Sequence, residues 1–315
     1  MPLLPLAAFC NDLRSPCCEA ALAENLTRCE LCGGEFPGVK GVPVLIDFDQ
    51  SAMDRGETVG SAGASQIARS ELRQGVASGL LAKAAEFFGG RNQVAAGNIA
   101  KFLQLVRARN PRSRVLVIGG GAVGEGLQSL YGAEDVGIIA FDVYRSGLVQ
   151  MVADGHQIPL RSGSVDGVVV QAVLEHVLQP EIVVAELRRV LRPGGVVYAE
   201  TPFMQQVHEG PFDFTRFTES GHRFLFRHFA EVSSGTVGGP GTSLIWSLAY
   251  FFRGLFRSRA AGRAARVMFF WLRWFDRVIP AEYAIDGACG CWFLGTLAES
   301  PLSARDAIRR YRGAA

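Results

Sequence analysis

The sequence predicts an α/β fold built on a doubly wound, mostly parallel sheet, and three observations carry that reading. Short apolar runs recur near residues 115–118, 136–141, 149–153, 166–171 and 195–200, each of strand length. Helically spaced stretches separate them, the last closing at Leu191-Arg-Pro-Gly-Gly195, and such alternation makes a parallel sheet covered on both faces. The first run breaks into Gly119, Gly120, Gly121 and Gly124, where glycine lets the backbone approach a ligand closely. A helix N-terminus is expected directly after these glycines, its free N–H groups turned to that ligand.

Length and composition bound the rest. With 315 residues, 49% of them hydrophobic, the chain can build one large packed domain and a small module. A net charge of +2 without a polybasic tail gives no argument for a nucleic-acid partner. Residues 1–10 lack the basic and long apolar regions of a signal peptide. No apolar run reaches the roughly 18 residues of a spanning helix. A cytoplasmic protein is expected.

Four of the seven cysteines fall within residues 17–32. In a reducing compartment such a cluster points to metal and not to disulfides. Cys29-Glu-Leu-Cys32-Gly-Gly has the spacing of a knuckle that sets two thiolates on one tetrahedral ion. Ser15-Pro-Cys17-Cys18 lies upstream, so Cys17, Cys18, Cys29 and Cys32 are the candidate ligands of a structural zinc. A metal-free module held by its apolar residues is the alternative. Residues 1–48 form this module, and residues 49–66, rich in Ser, Gly and Ala, read as a flexible linker. The main domain spans 67–315. It opens with two helical stripes, Leu72 to Phe88 and Val94 to Val106, the second stopped at Asn110-Pro111.

The run Val136 to Phe141 ends in Asp142, placed to take the ribose hydroxyls of an adenosine. Gly119-x-Gly121-x-x-Gly124 with Asp142 would equally suit a dinucleotide, so an NAD(P)-dependent oxidoreductase with structural zinc is a competing reading. The residues downstream of Asp142 separate the two. Asp154 ends the third run, Gln171 the fourth, and Leu174-Glu175-His176 and Leu-Arg-Pro-Gly-Gly come after. At these residues the chain resembles the class I S-adenosylmethionine-dependent methyltransferases of the type 11 kind. The resemblance implies a Rossmann-like sheet of seven strands, the last antiparallel, and S-adenosyl-L-methionine as cofactor. It implies cofactor contacts at Gly119, Gly121, Gly124, Asp142, Asp154 and Gln171. Residues 10–48 resemble the zinc-ribbon modules found ahead of such domains. Ser15 stands where those carry a cysteine, so Cys17 or Cys10 takes its place.

After the fifth run comes His208-Glu-Gly-Pro-Phe-Asp213-Phe-Thr-Arg216-Phe-Thr, a stretch similar to one in methyltransferases that modify sugars and cell-surface glycans. An imidazole suits proton transfer near neutral pH, so His208 is the candidate base. His176 is the second candidate catalytic residue, helping to shape the site, and Asp213 and Arg216 are candidate substrate contacts. His222 and His228 are expected on a helix surface. Strands near 230–237 and 289–297 flank a helical insertion, 243–280, dense in aromatics and arginines. Two readings of it stay open: peripheral contact with a membrane, or a lid or dimer surface. The expected activity is methyl transfer to a hydroxyl or similar nucleophile of a glycan, lipid-linked sugar or small metabolite. A non-catalytic recruiting module of the same fold is a further alternative.

Overall fold

The computed structural model describes residues 3–60, 92 and 94–314. Among these, the strands are β1 (Gly38–Val39), β2 (Val42–Leu45), β3 (Arg114–Ile118), β4 (Gly137–Asp142), β5 (Met151–Ala153), β6 (Val165–Gln171), β7 (Leu191–Pro202), β8 (Phe229–Val237) and β9 (Gly290–Leu297). The helices are α1 (Arg55–Gly60), α2 (Ala95–Arg109), α3 (Gln128–Tyr131), α4 (Pro180–Val190), α5 (Glu219–Leu225), α6 (Pro240–Leu255), α7 (Arg259–Met268), α8 (Ala281–Asp286) and α9 (Ala304–Arg309). The strands form one sheet in the order β1-β2-β5-β4-β3-β6-β7-β9-β8.

Seven of these strands, β5 across to β8, make the expected doubly wound arrangement, with β9 antiparallel to both β7 and β8. The sheet has nine strands and not seven, because β2 runs parallel to β5 through Val44–Val152 and Leu45–Ala153. β1 then pairs antiparallel with β2. The cysteine-bearing segment is therefore built onto the domain. Phe9, Leu13, Cys29 and Phe36 are buried in the same apolar cluster as Leu116, Phe141 and Val168.

The central strands read as continuous apolar runs because both of their faces are covered. Leu116, Ile118, Ile139, Phe141 and Val170 face α4, which presents Val183, Leu187 and Val190. Val115, Val117, Ile138, Ala140 and Val169 face Ile99, Phe102 and Val106 of α2. The alternation follows from the two-residue period of a strand. Gly167 lets α2 lie close: a Cβ there would sit 2.7 Å from the Phe102 ring. α2 stops where Asn110, ahead of Pro111, adopts an extended conformation. The registers Ile118↔Phe141, Ile118↔Val170 and Gln171↔Glu200 bring the strand ends level. The loops leaving those ends therefore gather at one edge.

Two expectations change. The described part of the expected linker is ordered: Ser51 hydrogen-bonds Asp154, and residues 55–60 form α1. The rest of that linker and the stripe from Leu72 to Phe88 lie outside the described residues. His222 is not a surface residue. It is 2% exposed, edge-on to Phe226, with no hydrogen-bond partner for Nε2 among the described residues.

Burial alone drives the His222 pKa down to about 3, against roughly 6.5 in an unfolded chain. Between those values the unfolded chain binds a proton that the folded chain refuses, so stability falls as pH falls through that window. Full difference in binding costs about 1.4 kcal/mol per pH unit. Urea unfolding at pH 6.5 and 4.5 should show a loss in the native chain that His222→Leu reduces by about 2 kcal/mol.

Candidate active site

The glycine-rich loop leaves β3 at the ligand edge. Gly119 has a φ of +71°, and a Cβ on it would lie 2.5 Å from Val173. A Cβ on Gly121 would meet the Tyr144 ring at 2.5 Å, and one on Gly124 would strike Gln171 Oε1 at 2.0 Å. The helix N-terminus expected directly after the glycines is not there: residues 119–127 are irregular and α3 has only 4 residues. A turn that short contributes no helix N-terminus for a ligand, so backbone approach is what the loop offers.

Both tip acids are buried, Asp142 at 8% and Asp154 at 5% exposure. Asp142 Oδ2 accepts from Gly121 N–H at 2.9 Å and Oδ1 from Val143 N–H at 2.7 Å. The acid thus ties the glycine loop to its own strand end. Asp154 accepts from the His156 backbone N–H at 2.9 Å, from its ring Nδ1 at 2.6 Å, and from the Ser51 hydroxyl. Burial raises its pKa, but the His156 and Ser51 hydrogen bonds outweigh this and hold it below the ordinary carboxylate value. Gln171 donates from Nε2 to Glu200 Oε2 at 2.9 Å and to Glu125 O at 3.0 Å. Glu200, at the tip of the next strand, also accepts from Tyr198 Oη and Asn92 Nδ2. Sequence reasoning missed Glu200, Asn92 and Ser51. Only Glu200, another acid at a strand tip, left a signal that could have found it. Two buried acids on neighbouring strand tips, with a cradle that only glycine permits, fit an adenosine-bearing cofactor.

Beyond β6, Ala172 takes a φ of +53°, a strained backbone that turns the chain into the short helix Leu174–His176. Glu175 is 1% exposed, and burial pushes its pKa up to about 8. Its Oε1 lies 3.6 Å from His176 Nε2, while Oε2 has no hydrogen-bond partner among the described residues. The His176 Nδ1 sits 2.7 Å from Phe212 O, which fixes the proton there. His208 packs edge-on against it, ring centres 5.0 Å apart. Its Nδ1 is 3.3 Å from Gln206 O and 3.4 Å from Asp213 Oδ2, so it too carries its proton on Nδ1.

Asp213 accepts from the His208 backbone N–H at 2.8 Å and is paired with Arg216 through both oxygens. Burial raises the Asp213 pKa, but Arg216 and the His208 N–H outweigh it and bring it to about 2. Arg216 further donates to Gln205 O at 2.9 Å and Gln206 O at 3.2 Å. The pair, expected to touch substrate, braces the histidine loop. It also lines a cavity of about 450 Å³, closed on one side by Tyr250 of α6. The Tyr250 hydroxyl donates to Val207 O at 2.5 Å, and Gln206 Nε2 to Ser247 Oγ at 3.0 Å.

Residues 72–199 match the family model described as the methyltransferase domain. The chain carries a methyltransferase domain. Its cofactor class is S-adenosylmethionine, which the match favours over the dinucleotide of the oxidoreductase reading. The match ends within β7, so the histidine loop, the insertion and the last two strands lie beyond it. An uncharacterised chloroplastic methyltransferase of Arabidopsis thaliana is 41% identical over 81 residues, 26% of this chain and 22% of that protein. The chain thus aligns with about a fifth of that relative's length. Among solved structures, phosphoethanolamine N-methyltransferase 2 of Haemonchus contortus shows 14% identity and a TM-score of 0.42, covering 69% of this chain and 56% of its own. A SAM-dependent methyltransferase from Archaeoglobus fulgidus shows 12% identity and a TM-score of 0.43, covering 69% and 100%.

On the flank of the methyltransferase domain, one Sγ each from Cys17, Cys18, Cys29 and Cys32 lie within 4.8 Å of one another. The closest pairs are Cys17–Cys32 at 3.3 Å and Cys18–Cys29 at 3.5 Å. Cys10 is elsewhere, against Ala7 O and Asn11. Ser15 stays beside the cluster, its Oγ 3.2 Å from Cys29 Sγ. Burial raises the Cys29 pKa, but the Cys32 N–H, the Ser15 hydroxyl and the Leu31 N–H outweigh it and bring it to about 6. A thiolate held near neutral pH among three other sulfurs is a donor set that fits zinc, with no position open for chemistry. Elemental analysis should find one zinc per chain, lost in Cys29→Ser. Because Cys29 packs into the sheet's own core, chelation should lower the melting temperature of the whole domain.

Proposed function

We propose that the protein transfers a methyl group from S-adenosylmethionine to a hydroxyl or similar nucleophile of a glycan, lipid-linked sugar or small metabolite. The observation that carries this is the pair of imidazoles, His176 and His208, beside a buried carboxylate at the strand-tip edge. S-adenosylmethionine supplies a methyl carbon on a sulfonium and leaves as S-adenosylhomocysteine. Asp142 and Asp154 take the adenosine, and the glycine loop admits the backbone to the methionine end. His208 Nε2 keeps a lone pair for the acceptor's proton. Asp213, facing Nδ1, favours the cation that results. Holding nucleophile and methyl carbon in line supplies the larger part of the rate.

The insertion supports a membrane-borne acceptor, the lipid-linked sugar of the classes above. Phe251, Leu255, Phe256, Met268 and Trp274 are more than half exposed, among Arg257, Arg259, Arg263, Arg273 and Arg277. No helix among the described residues is long and apolar enough to cross a membrane. Exposed aromatics beside guanidinium groups suit the interface of an anionic bilayer. α6 touches the histidine loop through Tyr250 and Ser247, so a headgroup held there lies next to the cavity.

Calorimetric titration should show S-adenosylhomocysteine binding and no NADH binding, with Asp142→Ala and Asp154→Ala abolishing the former. Binding of NADH alone would overturn the reading. The chain should sediment with phosphatidylglycerol vesicles and not with phosphatidylcholine vesicles. Trp271→Ser combined with Trp274→Ser should release it without loss of S-adenosylhomocysteine affinity.

A further inference from the structure

We propose that Glu175, His176 and His208 bind a divalent first-row cation, against which the acceptor's oxygen docks. One donor atom from each residue lies within 4.8 Å of the others. Donors to a common ion sit roughly 3–4 Å apart given bonds of about 2.0–2.2 Å. The 3.6 Å between Glu175 Oε1 and His176 Nε2 already meets that, and the His208 ring has only a small movement to make from its exposed loop.

Two further features point to a cation. Glu175 Oε2 is buried without a donor among the described residues, an arrangement that folded proteins avoid, and an ion taken by both oxygens of the carboxylate would supply the missing partner. Both imidazoles have Nδ1 committed, His176 to Phe212 O at 2.7 Å and His208 to Gln206 O at 3.3 Å with Asp213 at 3.4 Å. Such outer contacts orient a ligating histidine and leave the Nε2 lone pair for metal.

Two imidazoles and one carboxylate suit zinc, manganese or iron better than calcium or magnesium. Three protein ligands leave positions open. Because His208 belongs to the loop that lines the cavity, the acceptor oxygen can reach them. The ion lowers the acceptor's pKa, so its proton leaves to water, the oxygen pair forms the bond to the methyl carbon, and the C–S pair returns to sulfur. His208 then acts through its lone pair as a ligand and not as the final proton acceptor. This rests on the proposed methyl transfer only for what docks at the ion.

Manganese distinguishes this site from the thiolate cluster, since thiolates prefer zinc. Full-length protein carrying a single equivalent of zinc, which the four thiolates hold in preference, is titrated with Mn²⁺, free Mn²⁺ being read by electron paramagnetic resonance. One equivalent should bind, with affinity reduced at least about tenfold in His208→Ala and in Glu175→Gln. S-adenosylhomocysteine binding, measured by calorimetry, should be retained in both. His208 lies on an exposed loop, so its variant decides the matter even if Glu175→Gln does not fold. Absence of Mn²⁺ binding, or binding that His208→Ala leaves unchanged, overturns the proposal. Mn²⁺ binding without S-adenosylhomocysteine binding would sustain the ion and overturn the methyl-transfer reading instead.

Discussion

Much of the ligand edge hangs on one buried carboxylate, Glu200. A buried charge must be hydrogen-bonded to be tolerated, and here the donors come from different parts of the chain. Tyr198 reaches it from the same strand, Gln171 from the neighbouring β6 and Asn92 from the start of α2. Asn92 in turn accepts from Ala95 N–H at 3.1 Å, fixing where α2 begins. Gln171 also holds Glu125 O, so the far side of the glycine loop is drawn to the same point. Burial still raises the Glu200 pKa against these donors. The close fit of Gly124 against Gln171 is a consequence of this knot.

The sheet was legible in the sequence because its central strands are buried on both faces and read as unbroken apolar runs. The two added strands were not. β1 and β2 have 2 and 4 residues and join the sheet through backbone hydrogen bonds that almost any side chains permit. The length of α3 was illegible for another reason. Gly126 takes a φ of +82° and packs against Ala95, where a Cβ would lie 2.5 Å from the alanine Cβ. Helical spacing around it therefore does not become helix until Gln128. His222 was misplaced because α5 has only 7 residues, too few for periodicity to define a buried face.

The site was legible in part for the same physical reasons. An acid ending an apolar run marks a strand tip, so Asp142 and Asp154 were visible as tip residues. Their partners were not: Ser51 lies 103 residues from Asp154. The meeting of Glu175 and His176 with His208 depends on the turn at Ala172 and on the bracing of the histidine loop by Asp213 and Arg216. Neither leaves a pattern in the linear sequence. Arg216 illustrates the general difficulty. A sequence shows that a charge exists, and only the fold shows that Asp213 has already taken it.

The exposed aromatics of the insertion are not the product of a loose segment. Asp276 accepts from Gly241 N–H at 2.7 Å, from Gly239 and Thr242 N–H at 3.1 Å each, and from the Thr242 hydroxyl at 2.6 Å. It thereby caps the start of α6 with the end of the same insertion and closes the unit on its base. Gly241 is essential to that closure, since a Cβ there would lie 2.2 Å from Leu272 O. Arg266 lies over the Trp246 ring at 4.2 Å, holding α7 to α6. With its base fixed by polar contacts, the insertion holds its apolar outer surface in a defined orientation, which is what a recurring partner surface requires. The same α6 carries Tyr250 and Ser247, and Tyr250 grips Val207, the residue before His208. A displacement of α6 by whatever covers its outer face would therefore reach the histidine loop through the hydrogen bonds of Tyr250 and Ser247.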